Sequence, residues 1–341
     1  MAGFTFKKAE DYIYASTRVR IFERRLLSKD QKAQLLAAES YEEALRILLE
    51  SPYGHRMDET GPEKFSYRKS IKAEAERLQR ELSDILQGSP LLRFMALEDI
   101  YHNLKVVAKM WILDSDLEHL LVPVHAFSHE YMLNLLVNPE MNRKGTAEER
   151  SLAKIREDYS SNKDPERIEL ILDKDMYSEL SEVLSSLKSP LLENWLRDRV
   201  DLQNLLIYLR MKELGDPPSW YDFAFIPGGN IPQEQAVAQF AKADFPEKRV
   251  VSSWRISNQV IKAYMQYLES EDINLLEKRR DELDLYYADK AKRLTYGPEV
   301  IFSYYIRRQK EMQNLQILIL GLQSGFSAER LDKHLRKEEV Y

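Results

Sequence analysis

The 341-residue chain has no cysteine at all. That excludes disulfides, thiol nucleophiles and thiolate metal sites. Glycine and proline are scarce, at 11 and 13 residues. With Leu, Glu, Lys and Arg abundant, the scarcity favours helices over a loop-rich β fold. Positive charge is not in excess: the net charge is -6, against the basic surplus of a nucleic-acid binder. No apolar run approaches the roughly 18 residues of a membrane span. The opening stretch MAGFTFKKAEDYIYAS lacks an apolar core flanked by positive charge. It does not read as a secretory signal, and the expected protein is soluble and cytoplasmic. Also missing are the phosphate-cradling G-x-x-x-x-G-K-[ST] loop, the G-x-S-x-G elbow and the H-E-x-x-H helix. The residues point to no cofactor, nucleotide or catalytic constellation.

What is present is helical. The chain is 44% hydrophobic and 31% charged, and apolar residues recur at spacings of three and four. Tyr12, Ala15, Val19, Phe22 and Leu26 form one such stripe, predicting a helix from about Glu10 to Leu27. Ser28 and Ser40 each stand three residues before Gln31 or Glu43, a capping-box pattern. Residues 51 to 65 read as a loop. Helices are predicted over 66–87, 91–111, 165–187, 190–212 and 298–323, with a helix pair around Pro123. Polar residues 139 to 166 read as loop with some helix. The stretch FIPGGNIP at 225–232 reads as a tight turn, since Gly228 and Gly229 adopt positive φ cheaply.

One pattern recurs along the chain. Ser-Pro-Leu-Leu occurs at 89–92 and again at 189–192. In each copy proline opens a helix, where its missing N–H costs nothing. Pro90 is followed by Asn103 and Pro190 by Asn204, at separations of 13 and 14. A degraded third copy lies at Pro298 and Asn314, 16 residues apart. A second echo joins LVPVHAFSHEYMLNLL around Pro123 to FIPGGNIPQEQAVAQF around Pro227. Residues 321 to 335 supply a third version without the proline. Shared order and a period near 100 residues predict an internal triplication. The units divide as 1–112, 113–214 and 215–341. Asn is mildly unfavourable inside a helix, so three at one place imply a partner for the amide. The expected partner is a buried hydrogen bond to a neighbouring segment; the alternative has all three amides face a common axis.

Other polar residues read blandly. His119, His125 and His129 cluster in sequence, but Pro123 interrupts the segment and zinc needs three or four converging ligands. No metal site is expected. The acids Asp198 with Asp201, and Asp114 with Asp116, lack a sequence context apolar enough to raise a carboxyl pKa, and read as solvated helix faces. The first helix's arginines are expected to pair with Glu10 or Glu23.

Several stretches together resemble one family: YIYASTRVRIFERRLLS, EALRILLESPYG, DLQNLLIYLRMK, FIPGGNIP and IRRQKEMQNLQILILGL, in that order over nearly the whole chain. They are similar to the C subunit of the archaeal and bacterial V-type (A-type) rotary ATPase, whose eukaryotic relative is the d subunit. The resemblance implies an all-α fold of three similar units, with pseudo-threefold symmetry, forming a funnel or socket. It implies a non-catalytic subunit that binds no nucleotide. The implied place is peripheral, on the cytoplasmic side of a membrane complex. The implied partners are the central-shaft subunits of the soluble sector and the membrane proteolipid rotor ring, with one copy per complex and a monomer when isolated. Torque passed through it would drive proton or sodium transport. Two other readings stand beside this: a helical-repeat scaffold for another complex, and a metal hydrolase built on the three histidines.

Overall fold

In the computed structural model, the structure describes residues 6–54, 67–124, 127–141, 145–242, 246 and 248–337. Among them there is no strand. The α-helices are α1 (Ile13–Phe22), α2 (Lys29–Ala37), α3 (Tyr41–Leu49), α4 (Tyr67–Ile85), α5 (Pro90–Leu113), α6 (His129–Val137), α7 (Ala147–Asn162) and α8 (Pro165–Leu187). They continue with α9 (Pro190–Leu214), α10 (Pro218–Ala224), α11 (Gln233–Phe240), α12 (Lys248–Ser253), α13 (Asn258–Ser270), α14 (Ile273–Lys292), α15 (Pro298–Gln323) and α16 (Ala328–His334). None is long and apolar enough to cross a membrane, among the described residues.

The chain packs as two compact units. One joins residues 1–92 to 277–341, and the other is 93–276. In the first, α15 is the central element. It packs against α1, α3, α4 and α16, and α2 lies against α3 and α16. Val19, Leu35, Leu48, Leu82, Ile301, Phe302 and Ile319 fill its core at 2% exposure or less. A buried ionic network crosses it. Arg308, 1% exposed, donates to Glu74 and Glu311, each at 2.6 Å, and to the Arg25 carbonyl at 3.1 Å. Glu311 also accepts from the Tyr53 hydroxyl at 3.0 Å and the Leu27 N–H at 2.8 Å.

In the second unit, α9 is central. It packs against α8, α10 and α13, while α7 lies between α6 and α8. Its core includes a ring cluster: Tyr221 stacks on Phe240 at 4.8 Å, and Tyr208 meets both edge-on at 5.3 and 5.0 Å.

Local chemistry explains the helix boundaries. Ser28, Ser40 and Ser189 cap α2, α3 and α9 by accepting from the N–H of Gln31, Glu43 and Leu192. Gly215, at φ +77, ends α9 in the left-handed region. The predicted first helix is shorter than its stripe: 3-10 turns at Ala9–Tyr12 and Glu23–Arg25 flank α1. Around Pro123, among the described residues, a 3-10 turn, Glu118–Leu120, stands where the first helix of the expected pair would precede α6. The largest departure is α7, a sixteen-residue helix where mostly loop is expected. Thr146 caps it, and only Leu152 and Ile155 give it a buried apolar edge. That stripe is too narrow to stand out, and packing against α6 and α8 stabilises the helix instead. The loop expected at 51–65 lies mostly outside the described residues.

Candidate functional site

Pro90, Pro190 and Pro298 each occupy the first position of a long helix, of 24, 25 and 26 residues. The residue before each proline is anchored in its own way. The Ser189 hydroxyl accepts from the Leu192 N–H at 3.3 Å. Ser89 accepts from the Leu91 N–H at 3.2 Å and shares a 2.9 Å hydrogen bond with the Tyr12 hydroxyl. Gly297, at φ +129, has no side chain to offer, and the Ser16 hydroxyl of α1 accepts its N–H at 3.2 Å instead.

Further along the same helices, Asn103, Asn204 and Asn314 each form a two-way clamp on one backbone residue. Asn103 donates to the Val122 carbonyl and accepts from the Val122 N–H, both at 2.9 Å. Asn204 does the same with Ile226 at 2.8 and 2.9 Å. Asn314 does so with Arg336, at 2.9 Å both ways. Each clamped residue lies 19 to 22 positions beyond its Asn. Val122 and Ile226 are the residues immediately before Pro123 and Pro227, the two prolines of the sequence echo. The amide thus satisfies both polar groups of a residue whose successor, being proline, offers no N–H. Asn103 and Asn204 are 1% and 0% exposed, so their amides have no access to water as a substitute.

A second polar element carries no clear signal in the sequence. Asp201, three residues before Asn204, accepts through Oδ1 from the N–H groups of Asn230 and Ile231 at 2.7 and 3.0 Å, and through Oδ2 from the Asn230 side chain at 2.8 Å. Glu311, three residues before Asn314, accepts the Leu27 N–H. Ile231 stands two residues before the start of α11, and Leu27 two residues before the start of α2. The acid therefore anchors the head of a helix in both places. The first copy has Ile100 at this position, so no common residue type marks it. Gly229 is fixed by the same contact, since a Cβ there would lie 2.2 Å from the Asp201 carboxylate.

The expectation for Asp198 and Asp201 is overturned. They are 3% and 0% exposed rather than solvated. Burial pushes the Asp201 carboxyl up to about 6 against the three hydrogen bonds that favour its charge, and neighbouring Asp198 adds to the rise. Asp281 goes the other way: burial raises it, but Lys310, Arg280 and Arg336 outweigh burial and hold it at about 2.

The described histidines do not assemble a site. His119 is exposed, His129 lies 3.2 Å from Glu118, and His125 is outside the described residues. No cluster of metal-ligating side chains exists among the described residues. Of the first helix's arginines, Arg20 pairs with Glu23 at 3.0 Å and also caps the carbonyls of Lys292 and Leu294.

Among the described residues the chain is all-helical and organised around three helices that each carry an Asn clamp. A profile of the ATP synthase (C/AC39) subunit family matches residues 15–334, and the chain belongs to that family. It is similar to the C subunit of the V-type sodium ATPase of Enterococcus hirae, 20% identical, covering 96% of this chain and 98% of that one. It is also similar to the C subunit of the A-type ATP synthase of Methanosarcina mazei, 25% identical over 96% of this chain and 94% of that one. A third relative, the C subunit of the A-type ATP synthase of Thermococcus gammatolerans, is 24% identical over 51% of this chain and 48% of that one.

Proposed function

We propose that this chain is the non-catalytic central-stalk component of a V/A-type rotary ATPase. It acts as a socket between the central shaft of the soluble sector and the membrane proteolipid ring. Torque reaching it from the shaft passes to the ring and drives proton or sodium transport from the cytoplasmic side. The observation that carries the reading is the threefold recurrence of one device, a proline-started helix whose Asn clamps a downstream backbone residue, within a chain of this family.

The recurrence supports three similar units arranged about a pseudo-threefold axis as a funnel, with Pro90, Pro190 and Pro298, and Asn103, Asn204 and Asn314, as equivalent positions. The anchoring acids extend the equivalence. Since Glu311 holds the head of α2 as Asp201 holds the head of α11, α2 completes the third unit from the other end of the chain. Contacts support this: α16 packs on α15 and α2, as α10 packs on α9 and α11. The third unit then comprises residues from about 273 onward together with the helices after Leu27.

A socket of this kind must be stiff, so that twist is passed on rather than absorbed. Close-packed helices with few glycines have low compressibility. The clamps fix loops to helices at points where they would otherwise slide. The reading is tested by capturing this chain from detergent-extracted membranes and identifying what comes with it. The expected companions are shaft and ring subunits in fixed ratio; their consistent absence would refute the assignment.

A further inference from the structure

A half-open cavity of about 380 Å³ lies in the first compact unit, between α2, α14, α15 and the segment after α16. It is at the lower end of the roughly 300–1,000 Å³ range of small-molecule pockets. Leucines including Leu36, Leu315, Leu318 and Leu335 form its apolar wall, and lysines and arginines line much of the rest.

The second copy of the repeat shows what the cavity replaces; this comparison rests on the equivalence proposed above. Matching Asn314 to Asn204, and the Leu27 anchor to Ile231, puts Leu318 at Tyr208, Leu331 at Tyr221 and Leu36 at Phe240. Those three rings are the stacked cluster that fills the second copy. Of the leucines in their place, Leu36 and Leu318 line the cavity, while Leu331 is buried beside Gly321. The same match sets Lys310, Lys32 and Arg336 at Val200, Ala236 and Ile226, each buried at 1% or less. Three apolar positions have thus become cationic around a space that two aromatic side chains have vacated.

The cations are distributed unevenly. Lys310 is held by Asp281 and Asp284 at 3.1 and 3.2 Å, and Arg336 by Asp281 at 3.0 Å. Lys32 is half exposed and lies 3.9 Å from Glu311. Asp332, another acid of the lining, is held by Lys337 at 2.5 Å. Lys29 is exposed beside Lys32 on α2. Two exposed cations of the lining, Lys29 and Lys32, thus sit together at the α2 rim, above a leucine wall.

We propose that this cavity binds an amphipathic anion, an alkyl chain carrying one carboxylate or phosphate. Its tail lies against Leu36, Leu318 and Leu335, and its head meets Lys29 and Lys32. Such a head group comes either from a free alkyl acid or from a lipid.

The test is titration calorimetry of the full chain with decanoate, decyl phosphate and a decyl lysophospholipid, with decanol and decyltrimethylammonium as controls. At least one anion is expected to saturate one site, with decanol about tenfold weaker or worse and the cation silent. Preference for the lysophospholipid assigns a lipid source, and preference for the simple anions a free acid; either supports the site. Leu36→Phe with Leu318→Tyr restores two of the second copy's rings and abolishes binding. Lys29→Gln with Lys32→Ala keeps the cavity and weakens the anions about tenfold while leaving decanol unchanged. Both lysines are exposed, so this pair folds even where the ring-restoring pair does not. Absence of saturable anion binding to the unaltered chain overturns the proposal, as does binding indifferent to the lysine pair. The assay uses the isolated chain, so failure of the coupling role leaves its outcome untouched. If instead the repeat equivalence failed, the restored rings would destabilise the chain while the unaltered chain still bound.

Discussion

The asparagine clamps make a sharp prediction at the scale of the residue. Asn204→Ala strips Ile226 of partners for both its N–H and its carbonyl in a site closed to water. Unpaired buried polar groups cost about 1–3 kcal/mol each, so a loss of about 2–4 kcal/mol is expected in urea unfolding. Asn314 is only half-buried, and water can replace its amide, so Asn314→Ala should cost less than half as much. Equal losses would contradict the geometry. The buried acids give opposite pH signatures. Asp201 has a folded pKa raised to about 6 from 3.8. The folded state therefore holds a proton that the unfolded state has released, and stability falls as pH rises from about 4 to 6. The scale is roughly 3 kcal/mol. Asp281 is depressed to about 2, so its contribution of about 2 kcal/mol is present above pH 4 and lost as pH falls toward 2. Stability measured from pH 2.5 to 7 should lose its upper slope in Asp201→Asn and its lower slope in Asp281→Asn. The clamps were legible because Asn inside a helix demands a partner. Asp201 was not, because an acid's burial is decided by the loop that folds over it, here Asn230 and Ile231.

The helices themselves show which signals a sequence carries well. Proline at the first position and serine before it fixed the starts of α5 and α9, and Ser28 and Ser40 those of α2 and α3. Each is a local rule that needs no tertiary knowledge. The helix α7 escaped because its stability comes from neighbours rather than from its own stripe. The Arg308 network in α15 escaped for the same reason: Glu74, Tyr53 and Leu27 lie more than 200 residues away in sequence. That network sets the prediction at this scale. Arg308→Ala leaves Glu74 and Glu311 buried near each other without their shared cation, and should cost about 3–5 kcal/mol. Arg308→Lys should recover only part of this, since one ammonium cannot reproduce the guanidinium's fork to both carboxylates. Full rescue by lysine in thermal unfolding would show that charge alone suffices.

For the whole molecule, the proposed triplication and the division into two compact units describe different things. A repeat concerns descent and local geometry, whereas compactness is a property of packing. The first compact unit is built from both ends of the chain, an arrangement that consecutive segments of sequence do not announce. It follows once α2 is recognised as held by Glu311. The family assignment was legible because several ordinary motifs occur in one order over nearly the whole length. The proposed role in coupling belongs to an assembly, so the direct test is made there. ATP hydrolysis and ion uptake are measured together in vesicles bearing the rotary complex, with this chain present, removed and added back. Removal should leave hydrolysis running while ATP-driven ion uptake disappears, and adding the chain back should restore uptake. Undiminished ATP-driven ion uptake by a complex lacking this chain would contradict the account.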